Sequence, residues 1–258
     1  MDFFRRLFRI TWAIILFLAA AVELMITRPH TRPERAAWLG RFSNRLLKNF
    51  GVTYTVIGTP PTEGAVISNH LTFFDILLHS AVRPTVFVSK AELRKTPLLG
   101  WMSMMAGTVY VVRGGGGSAQ RAAEGMAKGF RDGLPVTFFP EGTTGNGDEI
   151  VMTFRSGLIA QTIEAGAPMR TAFVHYELSA RDLAAGHTAK KDVHWGPQSL
   201  QTLAWDFCGL HDLHATLRFG DDPIAFSEAA IADRKKAAVE ARKAVLALGE
   251  TAFEPVAQ

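Results

Sequence analysis

Seven short runs rich in β-branched and aromatic residues punctuate the chain: VTYTVIG (52–58), AVIS (65–68), TVFVS (85–89), TVYVV (108–112), PVTFF (135–139), TAFVHYEL (171–178) and ATLRFG (215–220). Runs of this length and composition predict strands. Between several of them the apolar positions recur at helical spacing, as over Ser118–Arg131 and Phe154–Glu164. Alternating strand and helix predicts an α/β domain, with a mixed, largely parallel sheet flanked by helices. A last helix is expected from Ser227, a good N-cap, to about Leu248, with Gly249 placed to end it. Its charged face, DRKKAAVEARK, reads as a solvated surface.

The N-terminus breaks this rhythm. From Ile10 to Ile26 every residue is apolar except Thr11 and Glu23, which is close to the shortest stretch, roughly 17 residues, that can span a bilayer. Arg5, Arg6 and Arg9 precede it, and Arg28, Arg32, Arg35, Arg41, Arg45 and Lys48 follow. Basic residues on both flanks give no orientation under the positive-inside rule. They fit a segment that dips into one leaflet with both ends on the cytoplasmic side. After Pro33, Trp38, Leu39, Phe42, Leu46 and Phe50 recur at helical spacing among basic neighbours. That is the composition of an interfacial helix, the alternative being an ordinary helix packed on the core. A cleaved secretory signal is a further alternative for the apolar run. The expected division is residues 1–50 as membrane-associated helices and 51–258 as a catalytic domain, held at the cytoplasmic face of the cell membrane.

Composition narrows the partners. The net charge is +4, so an anionic partner fits, but charge alone does not separate nucleic acid from membrane phosphate. A single cysteine, Cys208, rules out an internal disulfide framework and suits a reducing compartment. HDLH (211–214) sets two histidines three apart without a third ligand, so no metal site is expected. Nucleic acid has only the basic balance in its favour and is not expected as a partner. The four glycines at 114–117 form no P-loop, because no Gly-Lys-Ser/Thr follows.

The chemistry concentrates in three places. ISNHLTFFDILL carries His70 and Asp75. In a regular helix residues five apart point about 140° away from each other. The pair can meet only if His70 stands in a loop and Asp75 lies in the first turns of a following helix. Asp75 then fixes one imidazole nitrogen and leaves the other as a general base near neutrality. GLPVTFFPEGTTGNG runs a strand into Glu141, Gly142, Thr143 and Thr144, a turn whose backbone N–H groups suit an anion or oxyanion. GTVYVVRGGGG ends a third strand in Arg113, suited to a phosphate or carboxylate.

Together these elements resemble the glycerolipid acyltransferases that acylate lysophosphatidic acid and related lysolipids, over roughly residues 50–178. Asn69, His70 and Asp75 match the family's Asn-His-x4-Asp block. VSKAELRKTPLLGWMSMMAGTVYVVR is similar to its second block and ends in Arg113. FPEGTT matches the third, and GAPMRTAFV corresponds loosely to the fourth through Pro168. The resemblance implies the glycerolipid acyltransferase fold and transfer of a fatty acyl group from acyl carrier protein or coenzyme A, with no other cofactor, to a lysolipid hydroxyl. His70 is the implied base and Asp75 its support. Asn69, Lys90, Arg113, Glu141, Gly142, Thr143 and Thr144 are the implied substrate-binding set, and backbone amides near His70 or in the Glu141–Thr144 turn the oxyanion donors. The main expectation is a 1-acyl-glycerol-3-phosphate acceptor. Members that use it commonly read Glu-Gly-Thr-Arg, whereas here Thr144 replaces the arginine, a form similar to members that acylate lyso-ornithine lipid. Arg170 or Lys90 is then expected to supply the missing charge. Phe73, Phe74 and residues 98–107 are expected to wall an acyl groove. A thioester or lipid hydrolase and a non-catalytic membrane-binding protein are the rival classes.

Overall fold

The computed structural model describes residues 2–96, 99–112, 118–145 and 147–250. Its strands are β1 (Val52–Ile57), β2 (Ala65–Ser68), β3 (Val86–Lys90), β4 (Val109–Val111), β5 (Val136–Phe138), β6 (Met169–Leu178) and β7 (Leu213–Phe219). Each falls within or beside one of the seven runs read from sequence. The helices are α1 (Asp2–Thr27), α2 (Arg32–Asn49), α3 (Phe74–Val82), α4 (Leu99–Met105), α5 (Ser118–Arg131), α6 (Ser156–Glu164), α7 (Ala180–Ala184), α8 (Ala189–Asp192), α9 (Leu200–Gly209), α10 (Glu228–Ala232) and α11 (Arg234–Glu250), with a 3₁₀ turn at Ala91–Lys95.

One sheet runs in the order β1-β7-β6-β2-β5-β3-β4. Every neighbouring pair is parallel except β6 and β7. The mixed, largely parallel sheet expected from the alternation is therefore present. The central strand β2 is buried along its whole length, as a strand covered on both faces must be. One apolar cluster joins one face of the sheet to α1, α2, α3 and α9, through Leu24, Trp38, Phe42, Phe74, Val174 and Phe207. The other joins the opposite face to α5, α6, α10 and α11, through Met126, Ile159, Phe173, Ala237 and Val245.

The N-terminal arginines have a different task from the one their position suggests. Arg5 donates to the Gly209 carbonyl, Arg6 to Trp205 (2.5 Å), and Arg9 to Leu210 (2.5 Å) and His211 (3.0 Å). These carbonyls end α9, where unsatisfied C=O groups and the helix dipole favour cations. The basic cluster thus clamps α1 to the α/β body. On its other side α1 exposes Phe3, Phe4, Leu7, Phe8, Trp12, Ile15, Leu18 and Ile26. The predicted interfacial helix is instead a core helix. In α2, Trp38, Phe42, Leu46 and Leu47 are buried, because α3 and the sheet cover its apolar stripe. A capping box starts α2: Thr31 accepts from Glu34 N (3.3 Å) and Glu34 accepts from Thr31 N (3.1 Å).

The last helix is broken where the sequence pattern runs on. Ser227 caps α10 by accepting from Ala230 N. Asp233 then leaves helical geometry and accepts from Lys235 N (2.8 Å), which makes it the cap of α11. Gly249 does not stop α11, which runs on to Glu250. It allows close packing instead: a Cβ there would stand 2.5 Å from the Phe173 ring. Gly249→Ala is expected to destabilise the fold by about 1–3 kcal/mol, the usual range for overpacking, read as a lowered midpoint of thermal unfolding in detergent.

Candidate active site

His70 stands just past the end of β2, and Asp75 lies in the first turn of α3. The carboxyl ends of parallel strands are where open α/β sheets place their sites. The arrangement matches the expectation that the pair meets across a loop-to-helix junction. His70 Nδ1 lies 2.8 Å from Asp75 Oδ2. The same oxygen accepts from Leu71 N (2.7 Å) and Thr72 N (3.0 Å), while Tyr176 Oη donates to Oδ1 (2.7 Å). A buried carboxylate that already receives three other donors can only accept from the imidazole. Nδ1 therefore carries the ring hydrogen and Nε2 the lone pair. Phe139 stacks on the ring at 4.0 Å, with 12° between the planes, and fixes its tilt. Tyr176, near the C-terminal end of β6, carried no sequence signal beyond its place in a strand. Burial and the Asp75 charge push its hydroxyl well above the ordinary tyrosine range, so it stays protonated and donates.

A second layer holds the histidine's backbone. Glu141 accepts from His70 N (3.0 Å) and from the Met152 amide, and Gly145 N donates to the His70 carbonyl (2.7 Å). Gly142 makes this possible with φ +71°, in the left-handed region that favours glycine. Only 4% of Glu141 is exposed. Burial pushes its carboxyl up to about 8, against the opposing pull of the two amides. Arg242 of α11 ties down the same segment by donating to the Val151 (2.6 Å) and Met152 (3.0 Å) carbonyls. Glu141 was expected to position the acceptor; the hydrogen bonds it makes are to the amides of His70 and Met152. Asn69 differs likewise. It is fully buried, and its amide donates to Val174 O (2.9 Å) and accepts from Val174 N (2.8 Å). That pairs the end of β2 to β6 and leaves no polar atom for a ligand.

Thr144 donates its hydroxyl to the Trp195 carbonyl (2.8 Å), and Trp195 N donates to Leu71 O (2.8 Å). One residue thus joins the His-x4-Asp loop to the Glu-Gly-Thr-Thr turn. Nothing in the pattern around VHWGPQ singled it out, because its partners lie more than fifty residues away. The amides of His70, Leu71, Thr72, Gly142 and Gly145 are all committed within this frame.

The expected cations divide. Lys90 ends β3 and is exposed, two strands from β2 at the same carboxyl edge, roughly 10 Å across the sheet. Arg170 pairs with Val66, four residues short of His70 and so about 13 Å along the strand. It does not reach the site. Arg113 and Leu98 lie outside the described residues. Phe74 is not a groove wall: it is buried and stacks on Phe207 at 3.8 Å. Phe73 is half-buried beside it and meets Trp195 edge-on. Met102 and Ala106 belong to the core, while Trp101 and Met105 pack at its margin. The two histidines of HDLH take separate partners: His211 bonds Asp182 (2.8 Å), and His214 contacts Thr53 and Thr55. Cys208 is buried, and burial pushes its thiol up to about 11. That keeps it from acting as a thiolate nucleophile.

Residues 57–174 match the Acyltransferase family model. Over this segment, a little under half of the chain, it is similar to the acyltransferase family. The match encloses His70, Asp75 and the Glu141–Thr144 turn, with β2 through β5 around them. Over 170 residues the chain is 40% identical to a lyso-ornithine lipid O-acyltransferase of Pseudomonas aeruginosa, covering 64% of each protein. Over 116 residues it is 32% identical to a 1-acyl-sn-glycerol-3-phosphate acyltransferase of Neisseria gonorrhoeae, covering 45% of each. The matches to these curated relatives thus span less than two thirds of their length. A crystal structure of the 1-acyl-sn-glycerophosphate acyltransferase of Thermotoga maritima superposes with a TM-score of 0.69, over 99% of this chain and 98% of that one, at 17% identity. It shares the fold.

Proposed function

We propose that the chain is an O-acyltransferase that moves a fatty acyl group from an acyl carrier protein or coenzyme A thioester to the free hydroxyl of a lysolipid. The observation that carries this reading is the 2.8 Å contact between His70 Nδ1 and the buried Asp75 carboxylate, which leaves Nε2 as the basic nitrogen for an incoming hydroxyl. Nε2 takes the hydroxyl proton as the oxygen attacks the thioester carbonyl. Asp75 stabilises the imidazolium. The tetrahedral oxyanion is met by the Thr143 and Thr144 amides of the Glu141–Thr144 turn. When the intermediate collapses, the C–S bond breaks and the thiol leaves with the proton from His70. No enzyme nucleophile takes part, in keeping with the suppressed Cys208 thiol.

For the acceptor, two observations favour lyso-ornithine lipid over 1-acyl-glycerol-3-phosphate. Thr144 stands where phosphate-binding relatives commonly carry arginine, and its hydroxyl is held by Trp195. The lyso-ornithine lipid relative is also matched at higher identity and over more of its length. Lys90 at the carboxyl edge is the feature that favours a phosphate. The exposed apolar face of α1 rests in the membrane leaflet, on the cytoplasmic side where thioester donors are made, so that both greasy substrates arrive without crossing water.

The test is a radiolabelled acyl-transfer assay on detergent-purified protein. Both thioesters are offered against lyso-ornithine lipid, 1-acyl-glycerol-3-phosphate and other lysophospholipids. Product with lyso-ornithine lipid is expected. Phosphatidic acid as the main product would mean that Lys90 or another cation replaces the missing arginine. Thioester hydrolysis with no acylated lipid would sink the transferase in favour of a hydrolase.

A further inference from the structure

Between α1 and α2 lies a groove of about 340 Å³, lined by Phe8, Trp12 and Leu16 from one helix and by Arg45, Lys48 and Asn49 from the other. Its volume falls in the range of small-molecule sites. Phe8, Trp12 and Leu16 recur every four residues and form one row about 12 Å long. The Phe8 and Trp12 rings stack, 7° from parallel at 6.2 Å, and form a continuous aromatic wall. Both rings are exposed, 65% and 47%, on the apolar side of α1.

The opposite wall is cationic. Arg41 and Arg45 share a single carboxylate, Glu23, each at 2.9 Å. Lys48 is exposed and makes no ion pair among the described residues. Three cations therefore stand against one acid, and positive charge remains at the groove's mouth. Asn49 anchors the floor by donating to the Arg9 carbonyl (3.0 Å). The catalytic centre uses none of these residues.

We propose that this groove binds an anionic phospholipid of the bilayer, with one acyl chain along Phe8, Trp12 and Leu16 and its phosphate diester against Arg45 and Lys48. The inference rests on the membrane attachment proposed above and adds a headgroup preference to it. An apolar row beside a basic row suits a ligand with a chain and an anionic head, and basic pockets between membrane helices hold anionic headgroups on the same principle. A free phosphate leaves the aromatic wall uncovered; a neutral lipid leaves the cations unanswered. The groove also lies where α2 passes into the catalytic body, so a lipid seated there fixes the depth at which His70 meets the leaflet.

The experiment reads Trp12 directly. Full-length protein in neutral detergent micelles receives phosphatidylglycerol or phosphatidylcholine brominated on the acyl chains. The Trp12 contribution to the quenched fluorescence is the difference between the parent and Trp12→Phe. Phosphatidylglycerol is expected to quench at about tenfold lower mole fraction than phosphatidylcholine, given the attraction two basic residues exert on anionic lipid. The double variant Arg45→Gln/Lys48→Gln should abolish the gap. Lys235→Gln/Lys236→Gln removes two exposed charges from α11 and should preserve it. Equal quenching by both lipids, a gap that survives Arg45→Gln/Lys48→Gln, or one lost with the α11 pair overturns the headgroup site while leaving membrane attachment standing. Absence of Trp12 quenching by either lipid overturns the attachment as well.

Discussion

His70→Ala is expected to lower the rate of acyl transfer by about 10²–10⁴-fold, the usual worth of a positioned general base, with little change in thermal stability. The imidazole is partly exposed and its ring makes one side-chain hydrogen bond, whereas the frame around it is built from backbone groups that alanine keeps. Asp75→Asn should behave differently. The Oδ2 position receives three donors, from His70 Nδ1, Leu71 N and Thr72 N, so the asparagine oxygen must take that place. Its NH₂ then faces Tyr176 Oη, which can rotate and accept. The tautomer survives and only the charge that stabilises the imidazolium is lost. A loss of about 10–10²-fold is expected, smaller than for His70→Ala. Asp75→Ala would instead leave buried backbone donors unpaired and lower stability too. Single-turnover rates for the three variants, set beside their unfolding midpoints, check the order. Equal rates for His70→Ala and the parent would remove His70 from the chemistry.

Local pattern carried the sheet and the His70–Asp75 pair; long-range hydrogen bonding did not show in it. The strands were legible because buried parallel strands need uninterrupted apolar runs, and AVIS is buried at all four positions. The His70–Asp75 junction was legible because its geometry is set by five residues of local chain. The hydrogen bonding of Asn69 and Glu141 was not, since their types suggest ligands while partners such as Val174 and His70 come from distant segments. Trp195 and Arg242 escaped for the same reason. The N-terminal arginines illustrate the limit most plainly. Composition made them flanks of a membrane segment, but the carbonyls at the end of α9, about two hundred residues on, claim them. Asp233 could have been read as a cap, yet the alanine-rich pattern on either side concealed the break.

A consequence of this layering is that the most sensitive group outside the His70–Asp75 pair need not touch substrate. Glu141→Ala is expected to remove both acceptors of Glu141 at once, leaving the His70 and Met152 amides unpaired in a buried setting. Each such donor costs about 1–3 kcal/mol, so a stability loss of about 2–6 kcal/mol follows. The loop carrying His70 is no longer held, and a displacement near 1 Å can cost about 10²-fold in rate. Glu141→Gln keeps one acceptor and should fall between the two. The pH dependence separates a structural carboxyl from a ligand-binding one. In the folded protein this carboxyl titrates at about 8, above its ordinary 4.5, so the native state holds the proton more tightly than the unfolded chain. Its contribution to stability is fully present below about pH 4.5 and is lost as the pH rises to about 8. Between pH 5 and 8.5 the parent should therefore lose stability that Glu141→Gln does not. Unfolding midpoints of both proteins across that window decide it: parallel profiles would mean that Glu141 is already ionised at low pH, and that its hold on the His70 amide is that of a charged acceptor.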